Sequence, residues 1–211
     1  MSESTPNGER QPRAGKSLKA QQRRQEILQI AMDTFAARGY NNASLQEIAD
    51  RAGVTQAGVL HYFRSKAQLL TSVLALRDET DIEQLGSERP RGLAFLRHLV
   101  DTAHRNAERE GIVRLYTVLS AESVTEGHPA QEYFRYRYAG LRIFVADALA
   151  EACELGEVRA DLNVEHTANA IIAVMDGLQV QWLLAPDSVD MAASTDRVIT
   201  ALLADLTDGR T

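Results

Sequence analysis

The chain is poor in cysteine, aromatic residues and long apolar runs, and each shortage removes a class of protein. Cys153 is its one cysteine in 211 residues, so no intrachain disulfide can form, and a reducing cytoplasm is the expected compartment. That thiol reads as a small apolar filler on a helix. No stretch approaches the roughly 20 apolar residues that span a bilayer. The N-terminus, polar through Gln25, lacks the apolar segment of a secretory signal. Strict apolar–polar alternation, the mark of a half-buried strand, is missing throughout. So are histidine pairs at i,i+4 metal spacing, a nucleophile elbow and an intact phosphate loop. Gly15-Lys16-Ser17 resembles the end of such a loop, but Arg10 stands where its first glycine is required. What remains is an all-α protein that is not an enzyme and needs no cofactor or metal.

The material that is present fits that outline. Hydrophobic residues make up 45% of the chain and charged residues 25%, enough for an ordinary buried core under a polar surface. The net charge of −6 argues against nucleic acid until it is divided along the chain. Residues 1–66 hold ten Lys/Arg against six Asp/Glu, a balance of +4, whereas residues 67–211 hold thirteen against twenty-three, a balance of −10. A basic N-terminal third on an acidic body is the pattern of a protein with one end facing phosphates.

Residues 1–19 are rich in Ser, Pro, Gly and charge and read as a disordered basic arm. Helical periodicity then runs almost to the end. Ile27, Ala31 and Phe35 line a first helix that closes at Gly39. Ser44-Leu45-Gln46-Glu47 is a capping box, Gly53 breaks the helix it opens, and Thr55 can cap the next. Ser65-Lys66-Ala67-Gln68 is a second capping box. Further helices are expected near 91–110, 112–126, 129–155, 164–185 and 189–206, punctuated by Pro90, Gly111, Gly127, Gly156 and Pro186. This divides the chain into the arm, a DNA-binding domain over residues 20–66 and a helical effector-binding and dimerisation domain over residues 67–211.

The stretch from Leu45 to Tyr62 has the spacing of a helix-turn-helix. Ala49 sits where two helices cross, Gly53 occupies the turn, and Val59 plugs the second helix onto the first. The second helix opens Thr55-Gln56-Ala57-Gly58, small and polar as close approach to a major groove requires. Gln56 can pair bidentately with adenine, and Ala57 can touch a thymine methyl. Thr55, Tyr62 and Lys66 suit phosphate oxygens, and His61 suits either target.

With those residues in view, residues 27–70 resemble the DNA-binding domain of the TetR family, most clearly from Ser44 to Ala49, from Gly53 to Thr55 and from His61 to Lys66. The resemblance implies a dimeric repressor of nine or ten helices with a small-molecule site in its C-terminal domain. It also carries DNA contacts onto Ser44, Thr55, Gln56, Ala57, Gly58, His61, Tyr62 and Lys66. Leu60 departs from the tyrosine of many members, so a phosphate contact common in the family is missing.

In the C-terminal body, Leu141 and Val145 fall on one apolar seam and Ile171, Met175, Leu178 and Trp182 on another. Both helices are apolar on a second side as well, so a partner subunit is expected to cover one face, with these six residues in the dimer interface. Tyr116, Tyr133, Trp182 and His98, with Arg97 and His104 beside them, are candidates for an effector pocket. The reading is a sequence-specific regulator that binds double-stranded DNA at a palindromic operator as a homodimer and is released by an unidentified small-molecule effector, with no membrane partner. The alternative is an architectural DNA-binding protein of the same fold without an effector.

Overall fold

A computed structural model describes the backbone of residues 13–85 and 90–207 and the side chains of residues 18–78 and 90–207. Among the described residues there are nine helices and no strand: α1 (Arg13–Asn42), α2 (Leu45–Arg51), α3 (Gln56–Tyr62), α4 (Lys66–Leu85), α5 (Gly92–Ala107), α6 (Glu110–Glu122), α7 (Gln131–Glu154), α8 (Val164–Leu184) and α9 (Met191–Thr207). None of them is long and apolar enough to cross a membrane.

The all-α expectation holds, and the caps expected at Ser44, Thr55 and Ser65 form, whereas Gly111, expected between two helices, lies inside α6. Ser44 Oγ accepts the Glu47 N–H at 3.0 Å, Thr55 Oγ1 accepts the Gly58 N–H at 3.1 Å, and Ser65 Oγ accepts the Gln68 N–H at 3.1 Å. Gly53 closes α2 at φ 64°, with its N–H on Asp50 and the Val54 N–H reaching back to Ala49, the two reciprocal bonds of a left-handed helix stop. Part of the expected arm is structured instead. The backbone is helical from Arg13, so Gly15-Lys16-Ser17 lies within α1 and forms no loop; residues 1–12 lie outside the described residues.

Two apolar cores organise the body. The first gathers Ile27, Ala31 and Phe35 of α1, Ile48 and Ala49 of α2, Val59 of α3 and Leu69, Leu70, Val73 and Leu74 of α4. It continues into Leu115 and Leu119 of α6 and Phe134 of α7. The expected domain boundary after Lys66 therefore cuts through a packed cluster, because α4 supplies part of the floor under the helix-turn-helix. The second core joins α5, α7, α8 and α9 through Leu96, Val145, Leu149, Ile171, Ile199 and Leu206.

Where α1 meets α6, the chain turns at Gly39 with φ 72° and ψ 176°, a backbone region open in practice to glycine alone. That turn lets the Tyr40 N–H donate to Glu122 Oε2 at 2.6 Å. A Cβ on residue 39 would overlap the Glu122 carboxylate. Gly39→Ala is therefore expected to cost about 2–4 kcal/mol, the sum of backbone strain and a displaced charge-assisted hydrogen bond. Urea denaturation tests this: the midpoint should fall at constant m, and an unshifted midpoint would mean that the turn relaxes freely.

Candidate nucleic-acid interface and the polar cluster behind it

The residues expected to meet DNA lie at the α2 cap (Ser44), along α3 from its Thr55 cap to Tyr62, and at the start of α4 (Lys66). Ser44, Thr55, Gln56, Ala57 and His61 are exposed, and Gly58, Tyr62 and Lys66 are half-buried. Gln56 and Ala57 form the first turn of α3 and carry no internal duty, which leaves both side chains available to base edges. Ser44 and Thr55 use their oxygens as acceptors within the fold. A hydroxyl that accepts from the backbone still has its own hydrogen to donate, so each can cap a helix and hold a phosphate at once. A Cβ at Gly58 would stand 3.4 Å from both Thr55 Oγ1 and Val54 Cβ, an ordinary packing contact.

Tyr62 packs its ring on the first core and meets His61 edge-on at 5.4 Å between centroids. Lys66 is more occupied than its sequence position implied. Its Nζ lies 4.4 Å from the centre of the Tyr40 ring and donates to the Asn41 carbonyl at 3.4 Å. Burial lowers its pKa while Glu122 pulls it back up. The lysine thus pins the start of α4 to the end of α1.

Three arginines fix this reading head. Arg51 of α2 donates to Thr34 Oγ1 of α1 at 2.6 Å. Arg23 donates to the Ala52 carbonyl at 3.1 Å, and Arg24 lies 4.9 Å over the Phe63 ring. Sequence reasoning assigned none of these, because their partners lie 17 to 39 positions away along the chain.

Behind the reading head, the effector candidates separate. Tyr116 and Tyr133 come together through Phe134, whose ring lies 5.3 Å and 5.0 Å from theirs. His98 instead stacks on Phe95 of α5 at 6.3 Å, and its pKa is lowered by burial and by Arg105. Trp182 is half-buried near the end of α8. Arg97 and His104 are exposed on α5.

The cluster around Tyr116 and Tyr133 contains charged groups that no local pattern marks. Asp78 of α4 accepts from Tyr133 Oη at 2.8 Å, from Arg137 at 3.2 Å and from Arg77 at 3.3 Å. Arg77 also lies 4.7 Å over the Tyr116 ring. Tyr138 donates to Asp176 of α8 at 2.7 Å. Burial raises the pKa of Tyr116, Tyr133, Tyr138 and Asp176 alike, so the phenols stay protonated as donors. An open groove of about 430 Å³, walled by α1, α4 and α6 and lined by Arg77, Met32, Leu76 and Ile112, borders this cluster.

Two residues of the expected dimer seam lie inside the subunit's own core. Val145 and Ile171 are 2% and 3% exposed within the second core, and Met175 packs against it. Leu141, one turn before Val145, is half-buried on the same side. The uncovered stripes lie on the opposite faces: Tyr136, Ile143 and Phe144 on α7, and Val180 and Leu184 on α8. Leu178 and Trp182 are half-buried and, seven and eleven residues after Ile171, fall on the same side of α8 as Ile171. Periodicity marked both helices as two-sided but not which side faces its own core.

Comparison with known proteins agrees with this geometry. Residues 27–73 match the family described as bacterial regulatory proteins, tetR family, and residues 90–208 match the BetI-type transcriptional repressor, C-terminal family. The HTH-type transcriptional regulator TtgR of Pseudomonas putida is 28% identical over 190 residues, covering 84% of this chain and 88% of its own. A TetR transcriptional regulator from Chloroflexus aurantiacus superposes with a TM-score of 0.74 at 20% identity, covering 90% of this chain and 96% of that one. The Bacillus subtilis regulator FadR, solved with stearoyl-CoA, superposes at 0.71 with 19% identity over 85% of this chain and 97% of that one.

Replacing Gln56 with alanine is expected to relax base preference by about 1–3 kcal/mol at the positions it reads, with little loss of non-specific affinity. Selection from randomised duplexes measures this, and an unchanged consensus would move Gln56 off the bases. Thr55→Ala should in addition lower stability by about 1 kcal/mol through the lost cap.

Proposed function

This chain belongs to the tetR family of bacterial regulatory proteins, and from that premise we propose that it is a homodimeric operator-binding repressor released from DNA by a small-molecule effector. It is a helix-turn-helix transcriptional regulator and not an enzyme. The proposal concerns its assembly, its sign and its control.

The observation that carries the control is the bonding of Asp78. Helix α4 begins in the floor of the reading head and about three turns later, at Asp78, meets Tyr133 and Arg137 of α7. A ligand wedged beside Tyr116 or Tyr133 shifts α6 or α7, and α4 must follow or break a half-buried ion pair. Such a ligand then favours one tilt of the reading head over another, and its differential affinity for the two tilts sets how far the population moves. The groove beside Arg77 supplies an approach from solvent. Ligand-bound structures of this fold, including FadR with stearoyl-CoA, support an effector here without naming it.

Assembly rests on the uncovered stripes of α7 and α8. Two copies facing each other there would bury Ile143 and Leu184 in a four-helix contact and hold two α3 helices for successive major grooves, roughly 34–36 Å apart. The groove of about 390 Å³ lined by Ile143, Ala146 and Ala168 offers a seat for the partner's side chains.

Screening ligands by thermal shift beside operator release tests the control: a compound that raises Tm should free the DNA, and stabilising compounds that never do so would overturn it. For assembly, Ile143→Glu with Leu184→Glu is expected to give a folded monomer, since both side chains are exposed in the subunit, at 58% and 81%. Operator affinity should drop about a hundredfold or more as avidity is lost. Sedimentation showing an intact dimer would place the interface elsewhere.

A further inference from the structure

We infer that the basic N-terminal stretch of α1 is a second DNA-contacting element, seated on phosphates that flank the base pairs read by α3. Residues 13–24 contain Arg13, Lys16, Lys19, Arg23 and Arg24 and no acidic residue. All twelve positions lie in helix α1, in which residues 18–26 are exposed and Ile27 and Leu28 are buried.

The stretch is anchored to the reading head at two points. Arg23 holds the carbonyl of Ala52, the residue before the Gly53 turn that leads into the Thr55 cap of α3. Arg24 lies over Phe63, the residue that ends α3. The base of the stretch is therefore fixed beside both ends of the helix that enters the groove. From Arg23 the helix runs ten residues further, to Arg13, a length of about 15 Å. A B-DNA major groove is about 12 Å wide, so a rod of that length starting at the edge of the reading head spans to a bordering phosphate strand.

Charge favours the same partner. Lys19 is exposed, as are all residues from 18 to 22, and Lys19 and Arg23 are like charges one turn apart. Such pairs disfavour a helix by about 0.2–0.5 kcal/mol each. Among the described residues Glu26 meets Arg23 at 2.8 Å. A polyanion relieves the repulsion and a neutral surface does not. The element adds cations to a reading head in which Leu60 offers no phenol and the Lys66 ammonium is held on Tyr40. Phosphate contacts from this stretch would add affinity and fix orientation while reading no sequence.

The test uses the full chain and the duplex recovered from a randomised selection with the unaltered protein. Lys16→Gln with Lys19→Gln removes two cations, and each phosphate contact contributes about 0.9 to the slope of log affinity against log salt. The slope should flatten by about two, which makes the loss of affinity between about 50 and 200 mM salt roughly twelvefold smaller than in the parent. The selected consensus, the sedimentation behaviour and Tm should stay the same, and the double arginine variant should restore the slope. A parental slope in a folded double-glutamine variant overturns the inference, as does an altered consensus, which would make the stretch a base reader. If the parent itself selects no consensus, the failure lies with sequence-specific recognition. The salt slope on random duplex then still decides the role of the stretch.

Discussion

Everything in this molecule hangs on one helix being shared between two packing systems. The first half of α4 is core to the reading head through Leu69, Leu70, Val73 and Leu74, and at its next turn Arg77 and Asp78 enter the polar cluster of the body. A helix is stiff over two turns. Whatever moves Asp78 therefore moves the floor under α3. Removing one partner from a buried ion pair costs about 3–5 kcal/mol, and the partial exposure of Asp78 places this cluster below that range. That energy is small enough for ligand binding to offset and large enough to hold a defined tilt without it.

The opposite side of the reading head is held differently. There Gly39, Tyr40, Lys66 and Glu122 make a junction of backbone geometry, one short hydrogen bond and a cation over a ring. His128 closes it. Its Nδ1 accepts the Ala130 N–H at 3.2 Å, its Nε2 lies 3.7 Å from Glu122, and burial lowers its pKa. The reading head is thus tied to the body at α6 through Glu122 and at α7 through Asp78, and rotation about one tie strains the other. Effector control needs only a difference between these two ties, which side chains of such unlike chemistry supply.

What the sequence made legible follows from range. The caps at Ser44, Thr55 and Ser65 and the stop at Gly53 depend on residues three to five apart, so the helix-turn-helix and its exposed Gln56 and Ala57 could be read directly. Asp78 could not be read, because its partners lie 55 and 59 positions away and an isolated aspartate on a helix usually faces water. The dimer seam was hard to place for another reason. On α7 and α8 small and apolar residues occur all round, so a heptad can be drawn on either face, and the one drawn through Val145 and Ile171 was the internal one. Arg23 and Arg24 were hidden by range as well, because their anchors on Ala52 and Phe63 lie 29 and 39 positions away.

The charge division noted at the outset acquires a structural meaning once these ties are drawn. A body of net charge −10 beneath a head of +4 would, by Coulomb attraction alone, compete with DNA for the head's cations. The fold limits that competition by committing its own acids locally: Glu122 to the Tyr40 amide, Asp78 to Arg77, Arg137 and Tyr133, and Glu151 to Arg91. Most of the cations nearest α3 are likewise assigned. Arg51 is spent on Thr34, Arg23 on Ala52 and Lys66 on Tyr40. What the reading head offers to a phosphate backbone is then a few hydroxyls at its centre and free basic side chains at its edge. That arrangement separates the two requirements of an operator-binding protein. In the proposed reading, the centre's short, neutral, geometrically fixed groups discriminate bases, and the charge at the edge draws in any duplex.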